Sequence, residues 1–382
     1  MYTIRKYISK YFRMKLKEEK TIEEIYSYKE NSFNIVRLLL AISVIYSHCY
    51  PLMGINAGDG DILERLTKGQ LSFGSLAVYC FFIISGFLIT QSMMNSKNFL
   101  QYIIKRLLRI FPAFFSALIF SAFIIGPIVS NFTFNEYFSM VNITEPIKFI
   151  WKNLTMNIFG YSWGFLDAFN NTPFPGSVNG SMWTLKHEVA CYIVVMLLSY
   201  FYIFRNRLIM LFLAILTSAL TILNLICGYK LFSLSDNFWI ISDAQYNSFI
   251  ILFCFFIMGS LIYVFKDKII INYRFLLLAT IIMIFSCKAG NLKIISLFVL
   301  PYLLIGICII TNIKSITKYG DFSYGMYIYA FPIQQTIVYF WADTINLFTY
   351  CIFSIVITFI ISIISWNFIE KPALSLKRIF NY

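Results

Sequence analysis

The chain has 382 residues, of which 59% are apolar and 13% charged, against roughly 45–50% and about 25% in an ordinary soluble domain. This composition excludes a water-soluble globule, and the 41 Phe, 26 Tyr and 6 Trp are too many for one soluble core of this length. Lipid is therefore the predicted solvent for most of the chain. A net charge of +13 would suggest nucleic acid as partner of a soluble protein, but cytoplasmic loops give an inner-membrane protein the same excess. We therefore expect no nucleic-acid partner.

Ten apolar runs approach the length of about 20 residues that crosses a bilayer. If both termini are cytoplasmic, 22 of the 31 Lys and Arg lie in cytoplasmic segments and 8 in outer segments, as the positive-inside rule requires. The sequence thus predicts an all-α, multi-pass helix bundle in the inner (cytoplasmic) membrane, with both termini cytoplasmic. The expected spans lie near residues 33–53, 73–94, 110–130, 182–204, 208–227, 248–265, 271–287, 292–311, 323–342 and 347–369.

Residues 33–370 are expected to form one transmembrane domain between two cytoplasmic tails, 1–32 and 371–382. The N-terminal tail has neither an apolar stretch of signal-peptide length nor a small-residue cleavage site, so we expect no cleavage. The outer segment 131–181 is rich in Asn, Phe and Trp, which suits sugar rings; a hairpin that merely caps the bundle is the alternative. The eight Cys lack metal-ligand spacing and are interpreted as small buried residues, so no metal site is predicted.

Ionisable residues within the spans are functional candidates, because they are costly in lipid. Arg37 and His48 lie near the inner and outer ends of the first span, separated by about 16 Å of helix. His48 is either a satisfied core histidine or a base in the outer half of the membrane. Ser85 and Gly86 lie near the middle of the second span, and a small pair there is typical of close helix packing.

Arg106 and Arg109 precede the third span and, being three residues apart, share one helical face. They are either topology anchors or a clamp for phosphate groups.

The fourth span begins at the outer face with Trp183, His187 and Glu188. These residues are expected at about the depth of His48, so the Glu188 carboxylate could orient the His48 imidazole as a general base. His187 precedes Glu188 by one residue and therefore points elsewhere, and we expect it at the membrane interface.

Together these motifs resemble acyltransferase family 3, the bacterial integral-membrane acyltransferases that O-acetylate surface polysaccharides such as O-antigen. The matching features occur in the family's order and cover residues 33–372. They are Arg37 and His48 with ten residues between them, FFIISGF from Phe81 to Phe87, RLLR from Arg106 to Arg109 followed by Pro112, SMWTLKHE from Ser181 to Glu188, GDFSYGMYIYAFP from Gly320 to Pro332, and FIEKP from Phe368 to Pro372.

The resemblance implies acetyl-CoA from the cytoplasm as the acyl donor, with no permanently bound cofactor. It implies as acceptor a polysaccharide or lipid-linked glycan outside the membrane, in a protein surrounded by membrane lipid. The CoA phosphates are then expected to bind Arg106 and Arg109, helped by Arg37.

The same resemblance makes His48 and Glu188 the expected catalytic pair. His48 would take the proton of a sugar hydroxyl as the hydroxyl attacks the thioester, and an acetyl-imidazole intermediate is the rival route. Candidates for contacting the substrate and stabilising the oxyanion are Ser85, Trp183 and Tyr324.

One position departs from the family pattern. Many members have a His two places before the Pro of the SYGMYIYAFP segment, and this chain has Ala330 there, which leaves His48 as the intramembrane base. Two alternatives remain open. The first is the same scaffold transferring another acyl group, such as succinyl, or acting on peptidoglycan or a small molecule. The second is a glycan transporter or flippase, although the paired repeats and broken helices of transporters are not evident.

Overall fold

Ten long helices, each of 17 to 22 residues, dominate the part of the chain that the computed structural model describes, which is residues 20–28, 30–55, 59–155, 162–228, 243–311, 313 and 319–378. The expected N-terminal tail lies largely outside these residues. The ten helices are α1 (Phe33–Leu52), α2 (Phe73–Met94), α3 (Phe99–Ile119), α4 (Trp183–Tyr200), α5 (Arg207–Ile226), α6 (Asp243–Val264), α7 (Tyr273–Ala289), α8 (Leu292–Ile310), α9 (Ser323–Trp341) and α10 (Leu347–Ser365).

The prediction of an all-α membrane bundle is confirmed. Within the described residues, eight helices are long and apolar enough to cross a membrane. The two other long helices, α7 and α9, coincide with the spans expected near 271–287 and 323–342. Strand structure in the same residues is limited to an antiparallel pairing of Lys20–Thr21 with Ile270–Ile271.

Shorter helices complete the described chain. They precede α1 (Ile22–Ile25), join α1 to α2 (Ile62–Leu66), lie in the long connection after α3 (Phe134–Tyr137 and Thr144–Leu154), lead into α4 (Gly180–Met182), link α4 to α5 (Ile203–Arg205) and extend α10 (Trp366–Glu370, Lys371–Ser375 and Leu376–Arg378).

Helix α3 begins earlier than the sequence predicted. It starts at Phe99, capped by the Asn98 side chain, and continues through a π-helical turn, Phe120–Ile125, and the segment Gly126–Val129. Arg106 and Arg109 therefore lie within the helix, as expected for residues that share one helical face, and before the expected span 110–130. The span covers only part of the helix because the first turns are amphipathic, with apolar residues exposed on the opposite face, and a search for continuous apolar runs misses such turns. The exposed residues are Leu100, Ile103 and Leu107.

Helices α2 and α6 cross at two glycines. A Cβ on Gly86 would collide with the main-chain oxygen of Phe256, and one on Gly259 would collide with that of Ile83. The Ser260 hydroxyl, on the same face of α6, donates to the Gly86 carbonyl at 3.2 Å. Small residues let membrane helices approach closely in this way, so the packing role expected for Gly86 is confirmed.

Helix α9 is almost entirely buried, between α1, α10 and the turn that leads into α4. Two glutamines of this helix donate hydrogen bonds inside the bundle. Gln334 donates to the Ile45 carbonyl of α1 at 2.9 Å, and Gln335 donates to the carbonyls of Phe174 and Ser177 at 2.7 and 3.0 Å. The connection 162–179 is thereby fixed over the end of the bundle nearest His48.

Candidate active site

Two of the cavities that the described residues form lie near opposite ends of α1. The arginine cavity has a volume of about 130 Å³, and its polar lining comprises Arg37, Ser85, Arg106, Arg109, Thr184, Glu188, Tyr192, Ser323, Tyr324 and Tyr327. The histidine cavity is wider, at about 750 Å³, and its lining includes Ser47, His48, Glu64, Tyr79, Trp183, Asn247 and Tyr327. The three arginines of the predicted site therefore share one cavity, while His48 lies in the other.

Two of those arginines are bound to acidic residues. Asp321, which precedes α9, lies 3.1 Å from the Arg37 guanidinium and 2.6 Å from that of Arg109. Arg109 is also 3.7 Å from the carboxylate of Glu370, whose side chain is 1% exposed. Burial alone would raise the pKa of Asp321, but the two guanidiniums and Ser323 lower it to about 2. Asp321 is therefore an anion at physiological pH and offsets part of the arginine charge.

Arg106 has no acidic partner among the described residues. Its guanidinium donates to the Ser92 hydroxyl at 3.2 Å and lies 5.8 Å from the centre of the Tyr192 ring, while its buried Nε has no hydrogen-bond partner in the described part of the chain. The Nε of Arg37 is likewise buried without a partner among the described residues, so Arg106 differs from the other two arginines of the cavity in its uncompensated charge.

Lys377, in the turn after α10, adds a further cation beside Arg106. Burial, and then the positive charges of Arg106, Arg109 and Lys105, lower the pKa of Lys377 to about 8. Lys377 could not be selected from the sequence, because a lysine in an expected cytoplasmic tail is already explained by the positive-inside rule. Its position follows from the packing of the C-terminal turns against α3.

Glu188 and Ser85 meet in the arginine cavity. The Glu188 carboxylate accepts a hydrogen bond from the Tyr192 hydroxyl at 2.5 Å and one from the Ser85 hydroxyl at 3.4 Å. Tyr324 lines the same cavity, and its hydroxyl donates to the Ile110 carbonyl at 3.0 Å. Three of the residues expected near the reaction thus form one polar wall.

His48 and Trp183 both line the histidine cavity. The His48 ring packs edge-on against Phe331, with 5.5 Å between ring centres. Its buried Nδ1 has no hydrogen-bond partner among the described residues, so no protein group there fixes its tautomer.

The expected pairing of Glu188 with His48 is not formed by the described side chains, whose hydrogen bonds join Glu188 to Ser85 and Tyr192 instead. Glu188 lies five residues beyond Trp183, which places it about 7.5 Å further along the helix axis. The depth assumed from sequence ignored this displacement.

His187 is buried against neighbouring protein side chains, a packing that the sequence did not predict. Its side chain is 5% exposed and lies between the rings of Trp183 and Phe249, at 5.7 and 5.4 Å between centres. The reason is that α6 packs over the first turn of α4, a contact between distant segments that hydropathy does not reveal.

Asp321 and Glu370 are site residues that the sequence did not single out. Both occur inside motifs already recognised, GDFSYGMYIYAFP and FIEKP. The sequence did contain a signal for them. Each is an acidic residue at the end of an apolar run, on the side of the membrane where the arginines are expected, and a charge in that position is a candidate for an ion pair.

A bundle of membrane helices with a cationic cavity near one end of α1 and a cavity that contains His48 near the other defines a multi-pass membrane protein with polar cavities inside the bundle. The family model described as "Acyltransferase domain", Acyl_transf_3, matches residues 30–367, and the chain belongs to this acyltransferase family.

Two curated proteins are similar to the chain. It is 29% identical over 360 residues to the O-acetyl transferase of Shigella phage Sf6, covering 91% of this chain and 97% of that protein. It is also 29% identical over 177 residues to Nodulation protein 10 of Rhizobium leguminosarum bv. viciae, covering 44% of each. No solved structure matches the chain. The protein is therefore an integral-membrane acyltransferase.

Proposed function

We propose that this acyltransferase moves an acetyl group from cytoplasmic acetyl-CoA to a hydroxyl of a cell-surface or lipid-linked polysaccharide on the outer side of the inner membrane. The observation that carries the proposal is the pair of cavities at opposite ends of α1, one cationic and one containing His48. Substrates that approach from opposite faces of a bilayer need such an arrangement. The similarity to a phage O-acetyl transferase supports acetyl as the transferred group.

The donor phosphates are assigned to the arginine cavity, with both termini and this cavity on the cytoplasmic side. Guanidinium groups bind phosphate through paired hydrogen bonds, and Arg106 has a buried donor free to do so. Lys377 adds charge beside it. Arg37 and Arg109, already bound to Asp321, contribute mainly through their remaining N–H groups and through the shape of the cavity.

The acyl end of the donor then extends toward His48. The rise of α1 between Arg37 and His48 is about 16 Å, which an extended pantetheine arm can span. The lining of the arginine cavity also includes apolar side chains, among them Val78, Phe81 and Ile84. These side chains suit the hydrocarbon part of such an arm. Ser85, Tyr324 and Glu188 would surround the arm before it reaches His48.

The acceptor is assigned to the histidine cavity, where Trp183 offers a face for a sugar ring. His48 takes the proton from the attacking hydroxyl as the new ester C–O bond forms. The C–S bond breaks, and the proton passes from His48 to the departing CoA sulfur. In the alternative route the His48 imidazole attacks the thioester, so that a C–N bond forms, the C–S bond breaks and CoA leaves as the thiol. The sugar hydroxyl then attacks the acetyl-imidazole, so that the ester C–O bond forms, the C–N bond breaks and the hydroxyl proton returns to the imidazole.

Glu188 acts from the donor side in this scheme. Its described hydrogen bonds hold it against Ser85 and Tyr192, so it orients the polar wall past which the thioester moves. An effect on the His48 tautomer would require a substrate group or a water molecule between the two side chains.

Mass spectrometry of surface glycan tests the proposal. Cells with the wild-type gene should carry one acetyl group more per modified sugar than cells without it or cells with His48→Ala. A different added mass, such as that of a succinyl group, would mean that the enzyme transfers another acyl group from another donor. Unmodified glycan whose exported amount depends on the gene would indicate a transporter and contradict the proposal.

A further inference from the structure

The two cavities are separated by very few side chains. Val78 of α2 and Tyr327 of α9 line both of them. On α4, Thr184 lines the arginine cavity and the preceding residue, Trp183, lines the histidine cavity. The boundary is therefore one side chain thick on each of these helices.

Tyr327 makes one side-chain hydrogen bond at this boundary among the described residues. Its hydroxyl lies 2.7 Å from the Thr184 hydroxyl. Thr184 is positioned to donate its own proton to the Ser181 carbonyl at 3.4 Å, which leaves its oxygen to accept the proton of Tyr327. The Tyr327 ring packs edge-on against Phe81, with 5.8 Å between centres, and the side chain is only 9% exposed.

We propose that Tyr327 is a gate between the two cavities, closed by its hydrogen bond to Thr184 and opened when the acyl end of the donor displaces it. This inference rests on the proposed function, because it assumes a donor that enters from one cavity and reacts in the other. One neutral hydrogen bond is a weak latch, so an entering substrate can break it. The closed gate keeps water of the wide histidine cavity away from the thioester.

The cost of an open gate is hydrolysis. Water reaching the thioester would attack its carbonyl carbon, the C–S bond would break, and acetate and CoA thiol would be released without an acceptor. A closed Tyr327 therefore couples consumption of the donor to the presence of the acceptor. Tyr327 acts here as a positioning residue, since its effect is on access rather than on the bond changes.

Cysteine accessibility tests the gate directly, without depending on turnover. Ser85 lines the arginine cavity beyond Tyr327, so Ser85→Cys is combined with Cys227→Ser, which removes an exposed native thiol. A membrane-impermeant maleimide is added to the side on which the histidine cavity opens. We expect slow labelling with Tyr327 intact. Tyr327→Phe should raise the rate about two- to tenfold, as for one lost neutral hydrogen bond, and Tyr327→Ala should raise it further.

Tyr329→Ala is the matched control. Tyr329 is on the same helix and is 2% exposed, but it packs against Phe120 and is not part of the lining of either cavity. Its removal should leave the labelling rate of Ser85→Cys unchanged. Equal labelling in all Tyr327 variants would overturn the gate. The conservative Tyr327→Phe keeps the test usable if the Ala variant does not fold.

Release of CoA thiol from acetyl-CoA in proteoliposomes without acceptor separates this inference from the proposed function. Faster release by Tyr327→Ala than by wild type supports both. If the Tyr327 variants are labelled faster but neither they nor the wild-type protein release CoA thiol from acetyl-CoA, the gate is supported and acetyl-CoA is not the acyl donor. Unchanged labelling in variants of an enzyme that still acetylates glycan contradicts the gate and leaves the function standing.

Discussion

Arg109 and Asp321 form an ion pair of 2.6 Å between α3 and the start of α9, and both side chains are less than a fifth exposed. Asp321 also binds Arg37. A single carboxylate thus joins the first, third and ninth long helices at the end of the bundle that carries the arginine cavity. Removing one member of a largely buried ion pair leaves its partner's charge uncompensated, and this is strongly destabilising.

Asp321→Asn should therefore lower the stability of the folded protein by about 3–5 kcal/mol, the range for breaking a buried pair. The measurement is thermal unfolding in detergent, followed by size-exclusion chromatography. Asp267→Asn is the control, because it removes an equally short pair, Arg207 with Asp267 at 2.7 Å, that is exposed. The control should show no measurable loss. Similar losses in both variants would contradict the structural role of Asp321.

Arg106→Ala should weaken binding of CoA about 10- to 100-fold, the loss expected for charged hydrogen bonds worth about 1.5–3 kcal/mol. Arg106→Lys should recover little of this affinity, because lysine keeps the charge but lacks the planar fork. Binding is measured by calorimetry on purified protein. Lys97→Ala, which removes an exposed cation just before α3, should bind CoA as wild type does. Normal affinity in Arg106→Ala would make the residue a topology anchor only.

CoA affinity should fall as the pH rises through about 8, because Lys377 loses its proton there. Burial and the neighbouring cations lower its pKa from 10.5 to about 8, so the side chain is cationic below that pH and neutral above it. A phosphate bound beside it favours the charged form, and binding near this pH should take up protons. Lys377→Met should remove this part of the pH dependence. A profile unchanged by the substitution would show that Lys377 does not face the donor.

His48→Ala should reduce glycan acylation by 10²- to 10⁴-fold, as expected for a lost general base, while CoA binding persists. Glu188→Gln should be milder, because the amide keeps the size and most of the hydrogen bonding of the carboxylate. His187→Ala should lose stability rather than chemistry, since His187 packs between two aromatic rings. Acylation is measured per folded molecule, so that a loss of catalysis at His48 is distinguished from a loss of folded protein at His187. Equal losses in both variants would mean that His48 is not the base.

The sequence was a good guide to the helices and a partial guide to the site. An apolar run is a local property, so each of the ten expected spans corresponds to a long helix among the described residues. The arginines and His48 could be selected because each is costly in lipid by itself. Which residues these side chains pair with could not be predicted, because it depends on how the helices pack. Arg109 and its partner Asp321, for example, are 212 residues apart in the sequence.

Glu188 and His187 show the same limit at shorter range. Adjacent residues on a helix point about 100° apart, and hydropathy does not say which direction faces a cavity. Glu188 faces the arginine cavity, whereas His187 faces aromatic rings. Only the position of α6 relative to α4 decides between the two directions.

The ion pairs of Arg109 can form only late in biosynthesis. Arg109 needs carboxylates from Asp321 and from Glu370, and Glu370 lies in the last thirteen residues of the sequence. Chains are made from the N-terminus, and early segments fold while later ones are still being synthesised. Helices α1 to α3 therefore enter the membrane with two charged arginines whose partners do not yet exist. This end of the bundle reaches its final form only after the segment that carries Glu370 has been synthesised, so a chain truncated before that residue lacks one of the two carboxylates that bind Arg109.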